Sequence, residues 1–324
     1  MTPDGVKDRI GSPPGRVLLT GGAGFIGSSV ARALLADGWD VVVLDKLTYA
    51  GRRAHLDGLP LELVVGDVCD APLVERLTRG CAAVIHAAAE SHVARSLDDP
   101  APFLRTNIEG TRVVLEAAAA AGVPHAVHLS TDEVFGSAPG ALAFDVDHAL
   151  RPGNFYAASK AAAEMMVHAV AHTRGYRATV VRCTNNYGPR QHDEKAIPLW
   201  IAAARRGADL PIHGTGEAIR DWLHVDDFAA GLLAILRRGA PGDVHHFTGG
   251  NSLANRQVAE RIAQLCGGGR LVHVADRPGQ DMRYALQDDA TREALGWAPR
   301  VPFDQGLAET VAWYRDRDPL ARAQ

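Results

Sequence analysis

The chain has 324 residues, and its 47% apolar content is enough for one large α/β domain or two smaller ones. Its 34 basic and 38 acidic residues nearly balance, which disfavours nucleic-acid or membrane binding and favours small-molecule chemistry. The four cysteines lack CxxC spacing, so we predict free thiols, and we also predict no metal. Residues 1–15 are polar and rich in Pro and Gly, which predicts a mobile tail, no signal peptide and a cytoplasmic protein.

After this tail, short apolar runs alternate with stretches of helical spacing. Continuous apolar strands alternating with helices predict a Rossmann-type, doubly wound parallel sheet covered on both faces. The strand candidates are 16–20, 40–45, 61–67, 82–89, 125–131 and 178–185. The clearest helix candidates are 28–38, 103–121, 155–174 and 224–239.

The texture changes beyond residue 187, where Pro and Gly interrupt the sequence repeatedly. We predict a Rossmann domain over 16–186, rejoined by about 224–247. A smaller mixed α/β lobe that contributes substrate contacts is predicted over 187–223 and 248–324.

A glycine-rich turn separates the first strand from the first helix. Gly21, Gly24 and Gly27 have GxxGxxG spacing, with Phe25 and Ile26 inside the motif. Glycines permit a tight turn and close approach of backbone N–H groups, and the helix N-terminus favours a pyrophosphate. This context predicts a dinucleotide site.

Acidic residues end the next two strands. Asp45 follows the glycines by roughly 20 residues, where a carboxylate binds the ribose hydroxyls of NAD and repels the extra phosphate of NADP. A capping role for Asp45 is the weaker alternative, because the sequence after it is not convincingly helical. Asp67 ends the third strand and is predicted at the adenine edge, although a loop-capping role explains it nearly as well.

Tyr156 and Lys160 lie four residues apart on a helix candidate and hence on one face. A phenol serves as a base near neutral pH only if its anion is stabilised, and a neighbouring ammonium does this. Thr131, at the end of a strand, is placed to hydrogen-bond the same substrate hydroxyl. A surface Tyr–Lys pair is the alternative for the motif alone.

The combined motifs resemble the extended short-chain dehydrogenases/reductases and, within them, the dTDP-glucose 4,6-dehydratases. They run from near residue 17 to about 285 and read TGGAGFIGS, DKLTYAG, GDVCD, HAAAESHVARS, STDEVFG, YAASKA, NNYGPRQ, EKAIP, RDWLHVDD and DRPGQDMRYA. The resemblance implies tightly held NAD and dTDP-glucose as substrate. The Thr131-Asp132-Glu133 triplet is its most diagnostic part.

Adjacent acids suit an elimination of water across C5 and C6 of a hexose. Oxidation of C4 to a ketone acidifies the C5 proton, so one carboxylate can remove it while a protonated carboxyl gives a proton to the leaving C6 hydroxyl. The resemblance assigns Glu133 as the base and Asp132 as the acid. The alternative is that both acids cap a following turn.

The resemblance also assigns roles at further positions. For these the alternative is that the residue has no role in binding, for example a solvated arginine or an exposed Glu–Lys pair. Further cofactor contacts are predicted for Lys46, Val68 and Ala87. Substrate contacts are predicted for Ser91, His92, Asn185, Glu194, Lys195, Arg220, Arg277 and Tyr284. The chain departs from the pattern at Ala94, at Phe135 and in the approach to Tyr156, which bears on nucleotide or sugar preference.

Three alternatives stay open from the sequence. A UDP-sugar dehydratase would share the motifs, because the base is recognised in the second lobe. A sugar-nucleotide 4-epimerase or decarboxylase also oxidises C4, but the Asp132-Glu133 pair disfavours it. A dinucleotide-sensing regulator is disfavoured by the retained Tyr156 and Lys160. The family also implies a homodimer through a four-helix bundle, for which 103–121 and 155–174 are the candidates.

Overall fold

The computed structural model describes residues 14–276 and 278–317. The first thirteen residues of the predicted tail therefore lie outside the described part. Within it, the strands are Arg16–Thr20 (β1), Asp40–Asp45 (β2), Glu62–Val65 (β3), Cys81–His86 (β4), His125–Thr131 (β5), Thr179–Cys183 (β6), Asn185–Tyr187 (β7), Leu210–His213 (β8), Ile219–His224 (β9), Val244–Phe247 (β10), Ser252–Ala254 (β11) and Leu271–Val274 (β12).

Helices connect most of these strands. The α-helices are Phe25–Ala36 (α1), Ala71–Thr78 (α2), Val93–Asp98 (α3), Ala101–Phe103 (α4), Gly110–Ala120 (α5), Phe155–Arg174 (α6), Ala196–Arg205 (α7), Val225–Arg238 (α8), Asn255–Cys266 (α9), Asp289–Leu295 (α10) and Phe303–Asp316 (α11). Short 3₁₀ helices span Arg53–His55 and Asp132–Phe135, and a π-helical segment, Leu104–Glu109, joins α4 to α5.

The central sheet has seven strands in the order β10-β6-β5-β4-β1-β2-β3, and every adjacent pair is parallel. The predicted doubly wound α/β class is confirmed. Because parallel strands share one direction, the carboxyl ends of β1, β2, β4, β5 and β6 meet at one edge. The order reverses between β1 and β4, which is where such folds place ligands.

Alternate strand residues bury against opposite helix layers. Val17 and Leu19 of β1 pack in one apolar cluster with α1 and α8, whereas Leu18 packs in another with α2, α5 and α6. All three side chains are fully buried. Both faces of the sheet are therefore covered, which explains why its strands are continuous apolar runs.

Two small sheets lie outside the central one, with strand orders β11-β9-β7 and β12-β8. Together with α7, α9 and α11 they enclose a separate apolar cluster that includes Trp200, Ile212 and Leu307. The chain returns from β9 through α8 to β10 at the edge of the central sheet. Among the described helices, none is both long and apolar enough to cross a membrane.

Candidate active site

The glycine-rich turn brings α1 against the ends of β1 and β4. Gly21 has a φ of +72°, and a Cβ there would lie 2.7 Å from the backbone of Ala88. A Cβ on Gly27 would lie only 2.1 Å from the carbonyl oxygen of Gly21. Both positions therefore require glycine for close backbone approach.

The N-terminus of α1 opens into this turn. Its N-cap is Gly24, and no side chain from the described residues caps the first turn. Uncapped N–H groups and the partial positive charge of a helix N-terminus are suited to a phosphate group. These features fit the pyrophosphate of a dinucleotide.

Asp45 ends β2 with its carboxylate buried beneath the turn. One oxygen accepts from the Ala23 N–H at 2.9 Å and the other from the Leu47 N–H at 2.8 Å. Burial raises the pKa of Asp45, and these two hydrogen bonds oppose the rise. The carboxylate thus supports the glycine-rich turn as well as lining the cleft.

Asp67 lies at the next strand end along the same edge. Its carboxylate accepts from Lys46 Nζ at 2.8 Å and from the Cys69 N–H at 3.0 Å. Burial opposes these contacts, but they hold the pKa of Asp67 below its usual range. Asp67 therefore caps its own loop and pairs with Lys46 at the cleft wall.

The two adjacent acids follow β5 on a short 3₁₀ helix. Thr131 is its N-cap, accepting from the Glu133 N–H at 3.3 Å and donating to Asp132 Oδ1 at 3.2 Å. Asp132 is 3% exposed, and its Oδ2 has no hydrogen-bond partner among the described residues. Burial, and then the nearby Glu133 charge, raise the pKa of Asp132 well above its usual value.

Glu133 has a different environment. It is half-buried, its Oε2 accepts from Asn154 Nδ2 at 3.2 Å, and Tyr284 Oη lies 3.3 Å from the same oxygen. The Asn154 amide therefore holds this carboxylate in place as a hydrogen-bond acceptor. Asp132 is therefore suited to be the proton donor and Glu133 the acceptor, as the resemblance implies.

The raised pKa of Asp132 has a consequence for stability. The folded protein keeps this proton at pH values where the unfolded chain has lost it, so wild-type stability falls as pH rises from about 3.9 to the raised folded pKa. Asp132→Asn removes this loss and should raise Tm by a few degrees at pH 8. Thermal denaturation at pH 4, 6 and 8 measures this, with exposed Asp147→Asn as control. A gap between mutant and wild type that does not grow with pH would contradict the prediction.

Tyr156, Lys160 and Glu164 lie on one face of α6, at successive intervals of four residues. The Asn154 side chain caps the helix by accepting from the Ala157 N–H at 2.8 Å, and left-handed Gly175 ends it. Residues 155–174 were predicted as a helix with the same bounds. This helix carries the tyrosine and lysine to the ends of β5 and β6.

The electrostatics of Tyr156 differ from the prediction. Burial and the Glu133 charge raise the pKa of Tyr156 well above 10, and a hydrogen bond with Thr131 only partly opposes this. Lys160 donates to the Leu129 carbonyl at 2.6 Å, and burial lowers its pKa to about 8. The lysine thus holds the end of β5, and the phenol stays neutral without a bound ligand.

Most predicted residues meet in one continuous cleft along the carboxyl edge of the sheet. Those that line it are Gly21, Gly24, Phe25, Ile26, Gly27, Asp45, Lys46, Asp67, Val68, Ala87, Ser91, Thr131, Asp132, Glu133, Tyr156, Lys160, Asn185 and Lys195. Arg220 and Tyr284 lie beside it, stacked with the guanidinium 4.2 Å from the ring centre. Arg277 lies outside the described residues.

Glu194 belongs to an ionic cluster next to the cleft. It pairs with Arg95, whose Nε donates to it at 3.1 Å, and lies 3.6 Å from His92 Nε2. Arg95 also stacks on Tyr49, with its guanidinium 3.9 Å from the ring centre. The predicted residues His92 and Glu194 are therefore together, and Lys195 lines the cleft, where it donates to the Ser91 carbonyl at 2.7 Å.

Some lining residues were not singled out from the sequence. They include Thr48, Gly51, Glu90, Thr106, Leu129, Ser130, Cys183, Thr184, Asn186, Gln191 and His192. Leu129 and Ser130 lie near the carboxyl end of β5, Cys183 ends β6 and Thr184 follows it, so their position at the ends of parallel strands was an available signal. Thr106 lies in the π-helical segment, which no sequence pattern indicated.

This fold and site define a dinucleotide-dependent α/β enzyme with a Tyr–Lys pair and two adjacent acids. Residues 17–248 match the model of the NAD dependent epimerase/dehydratase family. The chain is 46% identical to a dTDP-glucose 4,6-dehydratase of Streptomyces niveus over 313 residues, covering 93% of each.

Solved structures show the same likeness. The dTDP-glucose 4,6-dehydratase DesIV from Streptomyces venezuelae, solved with NAD bound, is 43% identical with a TM-score of 0.90, covering 93% of this chain and 97% of that one. A UDP-glucose 4-epimerase from Thermotoga maritima is 29% identical with a TM-score of 0.88, over 93% and 99% of the two chains. The chain belongs to the NAD dependent epimerase/dehydratase family, as its motifs predicted.

Proposed function

We propose that the chain is a dTDP-glucose 4,6-dehydratase that forms dTDP-4-keto-6-deoxyglucose for deoxysugar biosynthesis. The observation that carries this function is the pair of adjacent acids in unlike environments. Asp132 is buried with a raised pKa, whereas Glu133 is half-buried, accepts from Asn154 and lies beside the Tyr284 hydroxyl. Curated relatives of this activity are 40–46% identical over nearly the whole chain. The enzyme is an NAD-dependent hydro-lyase.

NAD is the cofactor, and the residues of the cleft fit it. The tight turn at Gly21 and Gly27 and the uncapped N-terminus of α1 accommodate the pyrophosphate, and Asp45 accommodates the adenosine ribose. Bound NAD would supply the hydride acceptor for oxidation at C4 of the sugar and the hydride donor for reduction at C6. The cofactor is therefore regenerated in every turnover.

The protein residues move the protons. Tyr156 acts here in its ionised form, which the positive charge of bound NAD would favour. With Thr131 hydrogen-bonded to it, the phenolate removes the proton of the C4 hydroxyl during oxidation. Glu133 then takes the proton from C5 and Asp132 protonates the departing C6 hydroxyl, so that water leaves. Asp132 is suited to this step because burial raises its pKa well above the usual value and so favours the protonated form. A proton returned to C5 completes the product.

The buried Asp45 carboxylate predicts a strong preference for NAD. The 2′-phosphate of NADP would bring like charges together, which costs several kcal/mol, so NAD should bind roughly 100-fold or more tightly at pH 8. Calorimetric titration with both dinucleotides measures this. Asp45→Ser should lower the ratio of NAD affinity to NADP affinity. Equal affinities of the wild type for NAD and NADP would contradict the ribose-binding role of Asp45.

The function is tested by incubating the protein with dTDP-glucose or UDP-glucose and catalytic NAD, followed by mass spectrometry and NMR. Loss of one water from dTDP-glucose, with slower reaction of UDP-glucose, is expected. An epimer of unchanged mass would instead support a 4-epimerase, the activity named for one structural relative. If both sugars were unchanged, the dinucleotide-binding regulator would be the remaining alternative.

Assembly as a homodimer through a four-helix bundle is supported by apolar exposure. Leu104, next to α5, is 51% exposed, while Phe155 and Met165 of α6 are 51% and 47% exposed. Large apolar side chains on neighbouring helices are typical of an interface.

The four cysteines are free thiols, as a reducing cytoplasm would keep them.

A further inference from the structure

We propose that Tyr284 and Asp281 form a proton relay that connects the catalytic base Glu133 to solvent. The inference rests on the proposed function and adds a route for the C5 proton. Tyr284 Oη lies 3.3 Å from Glu133 Oε2 and 3.0 Å from Asp281 Oδ2. Glu133 lines the cleft, whereas Asp281 belongs to a different segment and is half-buried.

The Tyr284 hydroxyl lies between two carboxylates but has only one proton to share between them. Tyr284 can donate to only one of them, and two ionised carboxylates only accept. The shorter contact, to Asp281, identifies the preferred acceptor. The longer contact to Glu133 becomes a full hydrogen bond when Glu133 carries a proton, because the glutamic acid then donates to Oη. The row of hydrogen bonds from Glu133 through Tyr284 to Asp281 is therefore complete once Glu133 has taken the C5 proton.

The surroundings hold this bridge in place. Tyr284 is 5% exposed, and Arg220 lies over its ring while donating to the Asp281 carbonyl at 2.8 Å. A Cβ on Gly153 would lie 3.3 Å from both carboxylate oxygens of Asp281, so the loop before α6 packs directly on this carboxylate. Such packing fixes the three groups for transfer.

The transfer itself is balanced in protons. The C5–H bond breaks, its electron pair stays with the sugar, and the proton joins Glu133. The proton on Glu133 then passes to Tyr284 Oη as the tyrosine proton passes to Asp281 Oδ2, which releases it to solvent. Glu133 is ionised again and Tyr284 is neutral throughout, and the reverse sequence returns a solvent proton to C5. This path remains open when a bound sugar covers Glu133 on the cleft side.

The relay predicts how much solvent hydrogen reaches C5. Wild-type enzyme turning over dTDP-glucose in heavy water should place deuterium at C5. Tyr284→Phe should still eliminate water but lower the C5 deuterium at least about twofold, because Glu133 returns the sugar's own proton. Asp281→Asn should do the same while keeping the hydroxyl. NMR at early conversion measures the label before the ketone product exchanges by itself.

Asn154→Ser is the matched control. It removes the Asn154 amide that donates to Glu133, and serine preserves the N-cap of α6. This variant should react more slowly with the wild-type deuterium content. Wild-type deuterium in Tyr284→Phe, or an equal loss in Asn154→Ser, would overturn the relay. If Tyr284→Phe does not turn over, Asp281→Asn decides. Failure of the wild type to release water would instead reject the proposed function.

Discussion

Replacing Glu133 by glutamine should lower dehydration of dTDP-glucose roughly 10³-fold, within the range for loss of a general base. Glutamine keeps the shape and can still contact Asn154 and Tyr284, but it cannot take the C5 proton. The same variant should therefore lose both release of water and exchange of the C5 hydrogen with heavy water. Product NMR and substrate deuterium content measure the two quantities separately.

Asp132→Asn distinguishes the two acids. Water release should fall by a similar factor, because the amide cannot protonate the leaving hydroxyl, but C5 exchange should persist because Glu133 is intact. The rate of wild-type water release should also fall as pH rises through the raised pKa of Asp132, as its proton is lost. If Asp132→Asn abolished exchange and Glu133→Gln preserved it, the two roles would be reversed.

Replacing Tyr156 by phenylalanine should lower every step by roughly 10²–10⁴-fold, including C5 exchange. The C4 hydroxyl then keeps its proton, no ketone forms, and the C5 hydrogen is not acidified. Binding of NAD and dTDP-glucose should change only a few-fold, because the ring remains. Steady-state rates and calorimetric affinities separate these effects.

Tyr176→Phe is the matched control for this change. Its hydroxyl is buried without a hydrogen-bond partner among the described residues, and its ring packs against the α2, α5 and α6 layer. Removing this hydroxyl should leave turnover at the wild-type rate. Near-normal turnover by Tyr156→Phe would show that another group removes the C4 hydroxyl proton.

Local patterns predicted much of the fold. The bounds of β2, β5 and α6 were obtained from sequence because apolar runs, Asn154 and Gly175 mark their ends. The cleft was predictable because carboxyl ends of parallel strands meet at one edge. The π-helical segment before α5 was not, since nothing in the helical spacing of 103–121 distinguishes it.

Contacts between segments that are distant in the sequence could not be predicted from it. Tyr284 meets Glu133 across 151 positions, and Arg95 meets Glu194 across 99. The YxxxK spacing placed Lys160 near Tyr156 but did not show that its ammonium is bound to the Leu129 carbonyl. Such pairings depend on how loops pack on the sheet, which local periodicity does not encode.

dTDP-glucose labelled with deuterium at C4 tests most directly whether the hydride removed from C4 is the one returned to C6. Oxidation at C4 and reduction at C6 by the same bound cofactor predict a dehydrated product whose C6 methyl group carries the deuterium. NMR and mass spectrometry of the product locate the label. A dehydrated product without deuterium at C6, or an epimer that retains it at C4, would contradict the proposed reaction.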